Sequence, residues 1–189
     1  MILSGVFSGL SLIVAGVVAP GNVAQDALDK LAAAGSEAEA ANLEEEVWDA
    51  WMFSGSPTVD ILMKRGVEAQ DAEDLDLARD MFDRAIMIRP DYAEGWNRRA
   101  LLFFNAGKYD EAIADLETTL KYEPRHFGAW IGLAMIFESM SQGNAALQAY
   151  RKALVVHPFA AAAKEGQKRL IPQVEGRTCL LYTSPSPRD

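Results

Sequence analysis

RPDYAEGWNRRA (residues 89–100) and EPRHFGAWIGLA (residues 123–134) are two versions of one pattern, 34 residues apart. Each has Pro in second place, Trp in eighth place and Ala in last place. The pattern extends in both directions. When residues 59–92, 93–126 and 127–160 are aligned as blocks of 34, eight columns agree in size class without a gap. A fixed period of this length indicates a stack of similar structural units.

Each block predicts two helices, because apolar residues recur at spacings of three, four and seven. The expected helices span 60–72 and 76–88, 94–106 and 110–121, and 128–140 and 144–155. Two columns hold only Gly or Ala, which allows helix axes to approach to about 8–10 Å. These residues are Gly66, Ala100 and Ala134 in one column, and Ala78, Ala112 and Ala146 in the other. Proline near the end of each block stops the second helix.

This set of columns resembles the tetratricopeptide repeat. The resemblance implies an all-α fold of three tandem helix–turn–helix repeats, forming a right-handed α-solenoid at 59–170 with a capping helix at 161–170. We expect 25–58 to contain a linker and an N-terminal capping helix. The order of motifs also resembles exported tetratricopeptide-repeat proteins of alphaproteobacteria. Three repeats are about the minimum for a stable stack.

In this family the first helices of the repeats line a concave groove, so the resemblance implies a protein–protein interaction module that binds a peptide or helix. The corresponding residues here are Met63, Val67, Gln70, Asn97, Leu101, Phe104, Asn105, Ile131, Met135 and Glu138. Two alternatives stay open. The groove can be covered by the C-terminal capping helix or by self-association, which would make the protein a scaffold, or it can carry a small molecule or lipid.

Family members that hold the C-terminal tails of chaperones use Lys, Asn and Arg at five groove positions. This chain has Met63, Val67, Leu101, Gly128 and Gly132 at those positions, so that function is not expected.

Basic pairs occupy the same two positions of successive repeats, at Lys64-Arg65 and Arg98-Arg99. One interpretation is ion pairing with the acidic turn at 71–76. The other is that Arg98 and Arg99 contact an acidic ligand. That turn has carboxylates but lacks the glycine and final Glu of an EF-hand, so it predicts a solvated turn.

A further helix is predicted at 36–53, where Ser36 and Glu39 fit a capping box. Its Trp48 and Trp51 share a face. They indicate either a capping helix that packs on the first repeat or an exposed aromatic patch. Residues 25–35 are predicted to form a short helix or a linker.

Composition argues against nucleic acid as a partner. The net charge of the whole chain is −9, and residues 26–80 carry 15 acidic and 4 basic side chains. Contacts with phosphate groups need a basic surface, which this composition does not favour. No metal-ligand spacing, phosphate loop or cofactor motif is present in the sequence, so we expect neither a cofactor nor an enzyme. His126 and His157 lie in or beside predicted turns and are expected at the surface.

Both ends of the chain differ from the middle. Residues 1–24 contain no charged side chain and predict an export signal or, less readily, an uncleaved membrane anchor or a misplaced start. We therefore expect a periplasmic or envelope location, with any membrane contact made through an uncleaved segment. Residues 171–189 are predicted to be a disordered tail. Within it, CLLYTSPSPRD at 179–189 resembles a translated sequencing adapter, so the native chain is expected to end or be cut short near Thr178.

Overall fold

Helices account for all the regular secondary structure that is described. The computed structural model describes residues 20–176 of the chain, with side chains from Val23 onward. Nine helices lie in that range, and the all-α expectation is confirmed for it. They are α1 (Pro20–Ala32), α2 (Glu37–Met52), α3 (Pro57–Asp71), α4 (Leu75–Ile88), α5 (Ala93–Asn105), α6 (Tyr109–Tyr122), α7 (Phe127–Ser139), α8 (Gly143–Val156) and α9 (Ala161–Val174).

Helices α3 to α8 form three hairpins, α3–α4, α5–α6 and α7–α8, stacked in chain order. Their bounds agree with the helices expected from periodicity to within three residues. The small residues of the two columns are buried where the paired helices meet. At Gly66 the approach leaves no room for a side chain, since a Cβ there would lie 2.3 Å from a ring carbon of Phe82. Small side chains therefore set the spacing of the array.

The repeated Pro and Trp are joined by a hydrogen bond. Trp96 Nε1–H donates to the carbonyl oxygen of Pro90 at 2.9 Å, and Trp130 Nε1–H donates to that of Pro124 at 3.1 Å. The proline ends one repeat, and the indole six residues later bonds to the carbonyl at the end of that repeat. This explains why the two residues recur together at a fixed spacing.

Helices α1 and α2 form an N-terminal hairpin. Ser36 caps α2, its Oγ accepting from the Glu39 N–H at 3.2 Å. The Glu39 side chain accepts from the Gly35 N–H at 2.9 Å, one residue earlier than in a standard capping box. Residues 25–32 are helical and therefore not a linker. The expected limit of the export signal at residue 24 falls inside α1, and residues 1–19 lie outside the described part.

The expectation that the indoles of α2 pack on the first repeat is wrong. Met52 of α2 does pack against the core of the first repeat. The other apolar residues of the hairpin share a core with Phe127 and Val156 of the third repeat. Aromatic contacts hold the hairpin in this place. Trp48 and Trp51 both pack against Phe127, and the centroid of each indole lies 5.3 Å from the centroid of the Phe127 ring. The outer flank of the first repeat stays open to solvent, with Ile61 56% exposed.

Helix α9 continues to Val174, four residues beyond its expected end, so 171–174 do not belong to a tail. Pro172 removes one backbone donor, but Ile171 and Val174 pack on the core of the third repeat and keep the last turn helical. Gly166 of α9 lies on the Tyr150 ring, where a Cβ would be only 2.2 Å from a ring carbon. The adapter-like residues 179–189 lie outside the described range.

Between residues 20 and 176, none of the helices is both long and apolar enough to span a bilayer.

Candidate peptide-binding groove

An open apolar pocket lies between α5 and α7. Its volume is about 210 Å³. One wall comes from the N-terminal hairpin, through Trp48, and the rest comes from the two repeats. The lining residues are Trp48, Asn97, Ala100, Leu101, Phe104, Leu116, Gly128, Ile131, Gly132, Met135 and Ile136. Almost all of these side chains are apolar, so the pocket suits an apolar group.

Glycine allows the indole of Trp48 to form that wall. A Cβ at Gly128 would lie 2.7 Å from Trp48 Cη2, closer than a packed side chain tolerates. The indole Nε1–H donates to Glu44 Oε1 at 3.3 Å within the same helix. Any larger residue at 128 would therefore displace the indole and change the pocket. In the sequence, Gly at this groove position indicates that another group comes close. It does not indicate that this group is Trp48.

The structure brings together half of the predicted groove residues. The five that line the pocket are Asn97, Leu101, Phe104, Ile131 and Met135. Leu101 and Met135 are 40% and 41% exposed, so both remain available to a partner. These five residues were predicted from the family's groove positions, and they lie side by side in the structure.

The other predicted groove residues do not line this pocket. Met63 is fully buried in the core of the first repeat, against which Met52 of α2 and Val67 also pack. Gln70 is half-buried, and Asn105 is exposed but not part of the pocket lining. Glu138 lines an adjoining depression together with Phe104 and Met135.

A buried polar cluster lies behind the hairpin. Glu94 is 1% exposed, and its carboxylate accepts from Arg98 Nε at 2.5 Å and from Asn97 Nδ2 at 3.0 Å. Glu94 Oε2 also lies 3.0 Å from His126 Nε2. The expectation that the two histidines are surface residues is wrong. His126 is fully buried, because α2 covers the turn that contains it.

The hydrogen bonds fix the tautomer of His126. Its Nδ1 accepts from the Ala129 N–H at 3.0 Å, capping α7, so the ring proton is on Nε2 and is donated to Glu94. The ring is stacked against Trp51, with centroids 4.0 Å apart and planes 9° from parallel. Burial is the largest influence on the pKa of Glu94 and raises it. His126 and Arg98 outweigh burial and hold that pKa below its usual value.

His157, near the end of the third repeat, bonds to the hairpin itself. It is 3% exposed, and its Nε2 lies 3.0 Å from Glu44 Oε2 of the hairpin. Further along, Tyr92 donates its hydroxyl to the carbonyl oxygen of Trp51 at 2.9 Å, and Arg89 Nη1 donates to that of Ser54 at 3.0 Å. Helix α2 and the link after it therefore contact the C-terminal ends of all three repeats.

Arg98 and Arg99 of the second repeat are both paired with carboxylates of this chain. Arg98 pairs with Glu94, and Arg99 pairs with Asp83 and with Asp115, both at 2.7 Å. These hydrogen bonds, chiefly the one to Asp115, raise the pKa of Arg99. The ion-pair interpretation fits, but Arg98 pairs within α5 and Arg99 pairs with α4 and α6, so none of these partners is on the acidic turn. That turn serves as a helix start, since Asp74 Oδ1 accepts from the Leu77 N–H at 3.1 Å.

Within 20–176, no three His, Cys, Asp or Glu side chains are grouped closely enough to bind a metal ion.

Comparison with known proteins identifies the repeat. The family model described as tetratricopeptide repeat matches residues 93–126, the same residues as the second block. A TPR repeat-containing protein of Rhizobium etli is 36% identical over 138 residues, which cover 73% of this chain and 68% of that protein. The chain belongs to the tetratricopeptide-repeat family. It spans about two thirds of the length of this relative.

Solved structures share the tetratricopeptide-repeat fold. The TPR domain of Arabidopsis OM64 has a TM-score of 0.60 at 21% identity, covering 62% of this chain and 97% of that domain. The first TPR domain of Spaghetti (RPAP3) bound to the HSP90 peptide SRMEEVD has a TM-score of 0.60 at 16% identity, covering 64% and 95%. At these identities the likeness shows the fold, and the peptide is a ligand of that protein.

Proposed function

We propose that this protein is an interaction module that binds a peptide or helical segment of a partner protein in the pocket between α5 and α7. The observation that carries the proposal is an open apolar pocket formed by family groove positions. Phe104 and Met135 lie at its open side and continue into the adjoining depression. Binding of protein segments by related domains supports the class of ligand.

The hairpin limits where such a segment can bind. Trp48 covers the N-terminal end of α7 and Trp51 covers His126, so this end of the groove is occupied by the chain itself. The remaining groove runs from Trp48 toward Glu138. A partner segment therefore binds along a shortened groove.

A chaperone tail does not fit the chemistry of this groove. Met63, buried in the first repeat, and Leu101 stand where such domains use polar or basic side chains. Arg98, the nearest cation on α5, is neutralised by Glu94. A terminal carboxylate would thus meet apolar walls, and both arginines of α5 already have carboxylate partners. Apolar anchoring is the better-supported mode.

The test is affinity capture from the envelope fraction of the source organism, with identification by mass spectrometry. Phe104→Ala with Met135→Ala removes apolar surface at the pocket, and we expect it to reduce capture of specific partners at least tenfold. The matched control is Met87→Ala with Val155→Ala, which removes apolar side chains that are 79% and 76% exposed on α4 and α8. Equal capture by all three proteins would reject the pocket as the binding site.

We propose further that the protein works in the periplasm or envelope, on the basis of the uncharged apolar residues 1–24. Fractionation of the source organism tests this proposal. The full-length chain in the cytosol would contradict it.

A further inference from the structure

We infer that the segment bound in the groove has one large apolar side chain flanked by Lys or Arg. This inference rests on the proposed function and specifies the chemistry of its partner. It is carried by two carboxylates, Glu45 and Asp49, on the exposed flank of α2 beside Trp48.

Helix geometry places these carboxylates next to the pocket. The buried row of α2 consists of Ala40, Leu43, Val47 and Trp51. At about 100° per residue, Glu45 and Asp49 lie roughly 60° and 100° around the helix from Trp48, on the side away from that row. Both are exposed, and within residues 23–176 neither makes a hydrogen bond or ion pair. Trp48, which walls the pocket, lies between this flank and the buried row.

The two carboxylates are unfavourable for α2 itself. They are four residues apart, so they repel each other across one turn. Asp49 lies in the last turn, where the helix dipole favours cations, and α2 has no basic residue there. The stability of the helix therefore does not explain why these side chains are acidic. Residues that destabilise their own helix without a compensating contact are expected at functional sites.

Cations near the groove do not offset this charge. Arg98 is paired with Glu94, and Arg169 with Glu138. In the depression that continues the pocket, Glu165 is exposed and has no ion-pair partner among the described residues. The groove therefore has an apolar floor with unpaired carboxylates toward each end. A segment with basic residues on both sides of its anchor complements that pattern.

The pocket itself accepts one side chain. Its volume of about 210 Å³ is below the roughly 300–1,000 Å³ of typical small-molecule sites. It is open on one side, as a site for a residue presented by a longer chain must be. The pocket thus favours a protein segment with a single apolar anchor over a lipid or other small molecule.

Selection from a library of random 16-residue peptides displayed on phage tests the inference. We expect selected peptides to share one large apolar residue with Lys or Arg within four residues on either side. Binding of synthetic copies should drop at least tenfold for Phe104→Ala with Met135→Ala. Selected peptides that bind through these residues but are neutral or acidic around the anchor would overturn the inference and leave the proposed function standing.

Removing the charges of Glu45 and Asp49 gives a second test of the inference. Glu45→Gln with Asp49→Asn is expected to weaken binding of a selected basic peptide by about 3- to 10-fold at low salt, and to reduce its salt dependence. The control, Glu46→Gln with Glu117→Gln, changes the net charge equally at exposed positions on other faces. Equal weakening by both pairs would attribute the effect to overall charge and overturn the inference.

Two outcomes would reject the proposed function together with the inference. One is that no selected peptide depends on Phe104 and Met135. The other is that the protein self-associates in sedimentation analysis and the same double substitution abolishes the association, which would make a second copy the occupant.

Discussion

At the scale of single residues, the buried cluster of Glu94, Arg98 and His126 links the hairpin to the array. Three donors converge on one carboxylate that is 1% exposed. A buried charge is tolerated only when it is paired and hydrogen-bonded, and here both conditions hold. Trp51 closes the cluster by stacking on the imidazole. The position of α2 therefore depends on groups that belong to the second repeat.

Glu94→Gln tests this cluster. Gln offers one acceptor oxygen, and its amide would face a donor, so we expect about 1–3 kcal/mol lower stability at pH 7. Because the pKa of Glu94 is held below its usual value, its stabilisation is present above about pH 4.3, the unfolded value, and is lost as the pH falls through the lower folded value. Urea unfolding at pH 7 and pH 3 should show the difference shrinking in acid.

The control for this prediction is Glu45→Gln, a change at an exposed carboxylate that has no partner among residues 23–176. It should alter the free energy of unfolding by less than about 0.5 kcal/mol at either pH. If the wild-type protein and the Glu94→Gln variant differ in stability by the same amount at both pH values, the role assigned to the ionised carboxylate is contradicted.

Sequence reasoning failed for both histidines for a physical reason. A turn residue is normally exposed, and periodicity inside a repeat gives no information about a segment 75 or 113 residues earlier in the chain. Trp51 covers His126, and Glu44 covers His157. By contrast, Leu101, Phe104 and Met135 were predicted from family positions. Their surroundings are formed by neighbouring repeats, whose spacing is fixed by the 34-residue period.

At the scale of helices, the paired small residues determine how closely α5 and α6 approach. Ala112 is fully buried at that contact. The helix bounds followed from the sequence because each helix has its own apolar stripe and ends at a proline or a polar turn. The place of the hairpin did not follow, since an apolar stripe shows which face of a helix is buried but not against which partner.

Ala112→Leu is expected to lower the free energy of unfolding by about 1–3 kcal/mol, because the added methylenes cannot fit between the two helices. The control is Ala114→Leu, an exposed position on the same helix, which should be near neutral. The measurement is the urea midpoint from circular dichroism. Equal midpoints for the two variants would show that Ala112 does not set the helix spacing.

At the scale of the whole molecule, the hairpin changes how the repeats depend on one another. In a simple array each repeat contacts only its neighbours, so stability is a sum of local terms. Here α2 and the link after it contact residues near the end of each repeat, at Arg89, His126 and His157. Loss of any repeat thus removes a contact of the hairpin. We expect one cooperative unfolding transition.

A variant that reports on the hairpin alone tests this expectation. Trp96→Phe with Trp130→Phe leaves the indoles of Trp48 and Trp51 as the tryptophan probes. Their fluorescence should change at the same urea concentration as the helical circular dichroism signal. A fluorescence transition at lower urea would show that the hairpin detaches before the array unfolds.

The four-residue link Phe53–Ser56 between α2 and α3 has an evolutionary consequence. Solenoid proteins lengthen by duplicating a unit, but a copy inserted at this link would carry the hairpin to the junction of the present first and second repeats. That junction has Tyr92 and Ala93 where the hairpin now meets His126 and Phe127. Neither the imidazole stack nor the aromatic core would form there. Duplication upstream of the first repeat is therefore disfavoured, which leaves the far end of the solenoid as the site for growth.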